Sequence, residues 1–255
     1  MQIGAITSYV DLAQIILYMF WLFFAGVIYY LVRENHREGY PMETDGMSRV
    51  APQGWPIPEP KTFKLAGGGS VTVPDVNKVE PPINLKRTGA APDLPYEPTG
   101  NPMTDAVGPG AYAMRADVPE MDHHGSPVIR PLRVVQGFGV SGNDPDPRGK
   151  FVTGADGQKA GKVVDMWVDT CEMMFRYLEV EVNHGGASKR VLLPMTFSRV
   201  TSGGVSVASI YAAQFAQVPS LKNPDQVTLL EEEKISAYYG AGTLYADPQR
   251  LEPIL

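Results

Sequence analysis

Leu12-Ala-Gln-Ile-Ile-Leu-Tyr-Met-Phe-Trp-Leu-Phe-Phe-Ala-Gly-Val-Ile-Tyr-Tyr-Leu-Val32 carries a single strongly polar side chain, Gln14. At about 1.5 Å rise per residue, a helix of this length spans roughly 30 Å, the thickness of a hydrocarbon core. Twelve of its residues are Leu, Ile, Val or Phe. At about −0.3 to −0.6 kcal/mol each near the bilayer centre, insertion is favourable by roughly 4–7 kcal/mol. The stretch predicts one transmembrane helix over 12–32.

Its flanks set the direction. The first eleven residues contain no Lys or Arg, whereas Tyr29, Tyr30, Arg33, His36 and Arg37 gather at the far end. Interfacial aromatics followed by cations place that end, and all that follows, in the cytoplasm, with 1–11 as an external N-terminal segment. A cleaved signal peptide needs a charged start, a shorter apolar core and a small-x-small site, and fits poorly. The helix has bulky side chains, one glycine (Gly26) and no GxxxG pattern. A lipid-facing anchor and an anchor that also packs against partner helices both fit.

The net charge of −6 and pI near 5.3 exclude general affinity for nucleic acid, which needs clustered cations. The lone Cys171 forms no intrachain disulfide, as suits a reducing compartment. Eighteen of the 23 prolines lie between Pro41 and Pro147. Proline fixes φ and removes a donor, so 33–130 reads as an extended Pro-rich surface segment, with a disordered linker as the alternative. Within it Lys61–Leu65 and Ser70–Val73 flank three glycines and predict a hairpin. That glycine run is no phosphate loop, since neither Lys-Ser/Thr nor a helix follows.

Beyond it, 131–255 reads as a mostly β cytoplasmic domain. Lys162–Asp169 predicts a strand with Val164, Met166 and Val168 on one face. Leu178, Val180 and Val182 alternate with Glu179, Glu181 and Asn183, the period of a half-buried strand. Turns at His184–Ala187 and Ser202–Gly204 continue an antiparallel series that suggests a small barrel or sandwich. One C-terminal helix opens on a Thr228/Glu231 capping box, with Gly240 as its expected stop.

A set of ordered motifs resembles one family. Phe20-Trp-Leu-Phe-Phe-Ala-Gly-Val-Ile-Tyr-Tyr30, Arg37-Glu-Gly-Tyr-Pro41, Pro60-Lys-Thr-Phe63 and Pro98-Thr-Gly-Asn-Pro-Met103 come first. Ala160-Gly-Lys-Val-Val-Asp-Met-Trp-Val-Asp169, Tyr177-Leu-Glu-Val-Glu-Val182, Leu193-Pro-Met195 and Val227-Thr-Leu-Leu-Glu-Glu-Glu-Lys-Ile235 follow. Together they resemble the H subunit of purple-bacterial photosynthetic reaction centres. The barrel motifs are shared with the wider PRC-barrel superfamily, some of whose members handle RNA.

The resemblance implies a PRC-barrel-like fold and a chain that binds no pigment of its own. It implies a location in the bacterial inner membrane, with the N-terminus periplasmic. The chain would cap L and M subunits on their cytoplasmic side, shield the quinone sites and conduct protons to the secondary quinone. Bacteriochlorophyll, bacteriopheophytin, quinones and non-haem iron would belong to those partners. An antenna ring and anionic lipid are further candidate partners.

Quinol formation consumes two protons in a site that excludes water, so carboxylates and imidazoles must carry them. The resemblance places Glu172 at the family's proton-transfer glutamate, with Asp169 and Arg176 as neighbours; read alone, the three look like a solvated hairpin end. It matches Asp122 and His124 to the family's surface inlet for protons, alongside Glu120 and His123. The second family histidine is replaced by Ser126. Adjacent His123 and His124 are expected to point apart, which argues against a metal clamp. Arg33 and Arg37 are expected at lipid headgroups, Tyr40 where the helix meets partner subunits, and Met173-Met174 in packing. A membrane-tethered PRC-barrel adaptor without photosynthetic partners is the alternative. No nucleophile elbow, Walker loop, HExxH or Rossmann glycine pattern supports an enzyme.

Overall fold

The computed structural model describes residues 6, 11–38, 58–66, 68–75, 82–90 and 94–251. They divide between two compact units, one comprising 1–82 and 89–95, the other 83–88 and 96–255. In the first, helix α1 runs Leu12–Asn35. Asp11 caps it, its carboxylate accepting the Gln14 N–H at 2.7 Å. None of its residues is buried, and it is the one described helix long and apolar enough to cross a membrane. The expected hairpin forms from β1 (Lys61–Lys64) and β2 (Ser70–Val73), paired antiparallel.

The second unit holds a small hairpin, β3 (Leu85–Arg87) with β4 (Tyr96–Pro98), and a seven-stranded curled sheet, a half-barrel. Its strands are β5 (Ile129–Pro131), β6 (Phe151–Thr153), β7 (Lys159–Asp169), β8 (Met174–His184), β9 (Ala187–Pro194), β10 (Ser198–Val200) and β11 (Val205–Val207). The order is β10-β11-β6-β7-β8-β9, with β5 on the far half of β7. Pairing is antiparallel except for β11 with β6, so the expected antiparallel series has one parallel join. The turn from β8 to β9 is made by Gly185 and Gly186, both at positive φ (60° and 85°), the geometry of a tight hairpin.

The alternation along β8 is as expected on one side: Leu178, Val180 and Val182 are buried. Along β7 it fails at the first member. The register with β8 shifts between Val163 and Asp165, so Val163 enters the core at 1% exposure and Val164 is left half-buried. A bulge inverts the facing of residues on either side of it, which a strict period of two cannot anticipate. Trp167, Leu178, Leu193, Phe215, Ile235 and Tyr239 are fully buried. Each such apolar side chain contributes about 1.5–3 kcal/mol relative to exposure.

Helix α2 (Leu229–Tyr245) supplies the other wall of this core, burying Ile235, Tyr238 and Tyr239. Its capping box forms as expected: the Glu231 N–H donates to Thr228 Oγ1 at 3.1 Å, and the Thr228 N–H donates to Glu231 Oε2 at 2.9 Å. Gly240 does not stop the helix, which continues to Tyr245. A Cβ at Gly240 would lie 2.8 Å from the Pro109 carbonyl oxygen, so this glycine admits a neighbouring backbone instead.

Glu179 departs most from its expected place. It stands among the residues assigned to solvent, yet its side chain is 4% exposed. Trp167 Nε1 donates to it at 3.0 Å, Arg133 at 2.5 Å and Arg190 at 3.2 Å. Arg133 also bonds Asp165 and Asp225 and donates to the Pro224 carbonyl. A buried carboxylate is tolerable because each oxygen is met by a cation or a donor.

Candidate functional site

β7 ends on Asp169, and the chain reverses through Thr170–Met173 into β8. Asp169 builds this turn: its Oδ1 accepts the N–H groups of Cys171 at 3.0 Å and Glu172 at 2.8 Å. Its Oδ2 accepts Nε and Nη2 of Arg176, each at 3.3 Å. Arg176 Nη2 also donates to Glu172 Oε2 at 2.7 Å. The three expected residues therefore form one cluster, graded from buried Asp169 (5% side-chain exposure) to Glu172 (57%). Met173, at φ 55°, turns outward at the tip, 78% exposed, and Met174 is 46% exposed. The expectation that this pair packs internally is corrected: a left-handed residue at a hairpin tip directs its side chain away from the sheet.

The second expected cluster is a tight loop. Asp122 Oδ1 accepts the N–H groups of His124 and Ser126, both at 2.8 Å. Those bonds, led by Ser126, hold its carboxyl below the usual range, against partial desolvation. Asp122 is therefore held as an anion at the base of this loop. Glu120, His123 and His124 are exposed. The two imidazole centroids lie 3.7 Å apart, so the rings do not diverge as the sequence suggested. Among the described residues no three His, Cys, Asp or Glu side chains are grouped to hold a metal.

Strand β5 brings the two clusters together. Ile129 pairs with Asp169, and Thr170 donates through N (3.1 Å) and Oγ1 (3.0 Å) to the Val128 carbonyl. A cleft of about 520 Å³ lies between the loop and the hairpin tip, lined by Asp122, His123, Arg130, Phe138, Thr170 and Cys171.

A further acid completes the arrangement. Pro119 bridges to Thr228, and the Leu229 N–H donates to the Val118 carbonyl at 3.0 Å, which sets Glu120 beside the first turn of α2. There Glu232 accepts the Tyr177 hydroxyl at 2.8 Å. It lines a cleft of about 300 Å³ together with Arg115, Arg176, Tyr177, Glu233 and Ser236. Burial raises the pKa of Glu232, and Glu120 adds to the rise; the Tyr177 bond and Arg176 oppose it. Tyr177 is raised far above its ordinary value, first by burial and then by the charge of Glu232, so it stays protonated and donates.

The raised acid has a consequence for stability. Between the ordinary glutamate value of about 4.5 and the raised one, the folded chain holds a proton that the unfolded chain has released. Stability therefore falls as pH climbs through that window. Glu232→Gln keeps an acceptor for Tyr177 and is expected to flatten this slope, read from denaturation midpoints between about pH 4 and 8. An unaltered slope would mean that the carboxyl is solvated.

At the anchor, Arg33 is exposed. Arg37 pairs with Glu34 at 2.8 Å and donates to the Glu59 carbonyl, with its side chain 8% exposed. Tyr40 lies outside the described residues.

The sequence model of the photosynthetic reaction centre H-chain N-terminal region matches residues 4–134, over half of the chain. This chain belongs to the photosynthetic reaction centre H-chain family. The PRC-barrel domain model matches residues 143–214, the heart of the half-barrel. Membership makes the chain a reaction-centre component and implies association with L and M subunits, and the apolar α1 fits a membrane-anchored subunit. A membrane-tethered adaptor would share the anchor and the barrel motifs but need not share Arg37-Glu-Gly-Tyr-Pro41 or the Pro-rich stretch, both of which lie within the H-chain match.

Sequence reading missed Glu232 and Tyr177. Glu232 adjoins the capping residue Glu231 in a run of three glutamates. The run reads as a solvated first turn, and only the fold brings Tyr177, Arg176 and, through the bridge of residue 119 to residue 228, Glu120 to it.

Proposed function

We propose that the chain caps the L and M subunits on the cytoplasmic side, shields their quinone sites and conducts protons towards the secondary quinone. Protons would enter at Glu120, His123 and His124, drawn to the anionic Asp122, and leave through the cluster of Asp169, Glu172 and Arg176. Glu232, hydrogen-bonded by Tyr177, would be an intermediate carrier, since a half-buried acid with a raised pKa exchanges protons more readily near neutral pH than an ordinary carboxylate. The chain would hold no pigment or quinone itself, and its bulk would lie in the cytoplasm beyond α1.

One observation carries this reading. The pairing of β5 with β7 sets the acid–imidazole loop against a hairpin tip that projects Glu172 and exposed methionines outward. Carboxylates end where an apolar partner surface could cover them, as a relay into a buried site requires.

The first test is association. A C-terminal tag, gentle solubilisation and near-infrared spectroscopy of the purified chain are expected to show bacteriochlorophyll that bleaches reversibly in light. A colourless preparation, with the pigment complex intact in the unbound fraction, would favour the adaptor.

A further inference from the structure

The hairpin of β1 and β2 is too small to bury a core, yet its two faces differ in chemistry. Cross-strand partners share a face: Phe63 lies opposite Val71, and Lys61 opposite Val73. The other face carries Thr62 opposite Thr72, with their hydroxyls 2.8 Å apart, and Lys64 opposite Ser70. Phe63 (41%) and Val71 (44%) are both exposed, and Leu65 just beyond β1 is 51% exposed. Lys61 lays its ammonium 5.1 Å from the Phe63 ring centroid at the rim of the apolar face. From Lys61 to Val73 the chain has two lysines and no acid, and among the described residues neither lysine is in an ion pair.

The location of this amphipathic ribbon is fixed from inside the same compact unit. Arg37, at the end of the apolar helix, donates to the backbone carbonyl of Glu59. Lys61 follows two residues later, within about 7 Å of chain. The ribbon is therefore held where the helix ends, at the depth of lipid headgroups if that helix spans a bilayer. An aromatic ring, short apolar side chains and lysines are the chemistry of an interfacial anchor: the rings and aliphatics enter the acyl boundary, and the ammonium groups reach lipid phosphates.

We propose that Lys61–Val73 is a second membrane contact, laying Phe63, Val71 and Val73 on the interface of an anionic bilayer with Lys61 and Lys64 at its phosphates. The inference rests on the reading of α1 as a membrane helix. Its test uses the full chain, with the subunits that co-purify, in nanodiscs containing phosphatidylglycerol. Cys171→Ser removes the native thiol, and single nitroxides are placed at Val71→Cys on the apolar face, Ser70→Cys on the polar face and Leu22→Cys in α1. The expected result is a Val71 label several-fold more accessible to oxygen than to a water-soluble nickel chelate, and a Ser70 label with the opposite preference. In Lys61→Glu/Lys64→Glu the Val71 preference is expected to fall towards that of Ser70.

A Val71 label as open to nickel as that at Ser70 would place the hairpin in water and overturn the proposal. A label closed to both reagents would show a protein covering the face, which overturns it as well. The Leu22 control separates the two readings. Lipid exposure there with a negative result at Val71 refutes the hairpin contact alone, while water exposure at Leu22 removes the anchor and the contact with it.

Discussion

Glu172→Gln is expected to slow proton-coupled reduction of the secondary quinone by about tenfold while primary charge separation is unchanged. Glutamine keeps an acceptor for Arg176 Nη2, and the side chain is 57% exposed, so the hairpin tip retains its geometry. What is lost is a group that can bind and release a proton. Removing a sole acid–base group typically slows a step by roughly 10²–10⁴-fold. The smaller figure expected here reflects Asp169, 2.8 Å from the Glu172 N–H, which remains beside the gap. Flash-induced kinetics of the second electron transfer between about pH 6 and 9 provide the check, since His and raised carboxyls titrate across that range. Unchanged rates throughout would remove Glu172 from the relay and leave the cluster as a turn-forming ion pair.

The second large effect is structural. Glu179→Ala is expected to destabilise the half-barrel by about 3–5 kcal/mol, the usual consequence of deleting one partner of a buried ion pair. The substitution leaves the Trp167 indole N–H without its acceptor and removes the carboxylate that binds both Arg133 and Arg190. Glu179→Gln, which still accepts from Trp167, should lose less. Chemical denaturation in mild detergent, followed by fluorescence of the buried Trp167, separates the two variants. A loss below about 1 kcal/mol for the alanine variant would mean that water replaces the carboxylate at no great penalty.

These two residues also show how far the sequence was legible. Helix α1, the β1–β2 hairpin, the capping box and the buried face of β8 follow from local rules of hydropathy, turn chemistry and period. Such rules describe one strand or one helix at a time. Glu179 obeys the period on β8 and is still buried, because Arg133, distant in sequence, folds over the face that alternation assigns to water. The bulge at Val164 and the passage of α2 through Gly240 depend likewise on neighbours contributed by other segments.

The site divides in the same way. Asp169, Glu172 and Arg176 lie within one hairpin, and family motifs were enough to group them. The motifs singled out Asp122, but its state as an anion follows from the Ser126 and His124 N–H groups that grip it. Glu232 carried no signal as a single residue in an acidic run. Its raised pKa arises from burial and from Glu120, which is brought close only when residue 119 bridges to residue 228.

A half-barrel, unlike a closed one, keeps margins: among the described residues β9 and β10 end the strand order, and β5 pairs with β7 alone. Exposed margins are templates for strand addition, and a membrane holding many copies of one chain at high density would favour end-to-end polymerisation. Lys189 and Arg190 stand on one margin, which ends at Pro194, and Arg199 stands on the other. Lys189 is tied to the Ala216 and Val218 carbonyls and Arg190 to Glu179, so both side chains are engaged within the fold, and proline offers no donor to a newcomer. A strand added along β9 would have to displace these internal bonds and would find no donor at Pro194.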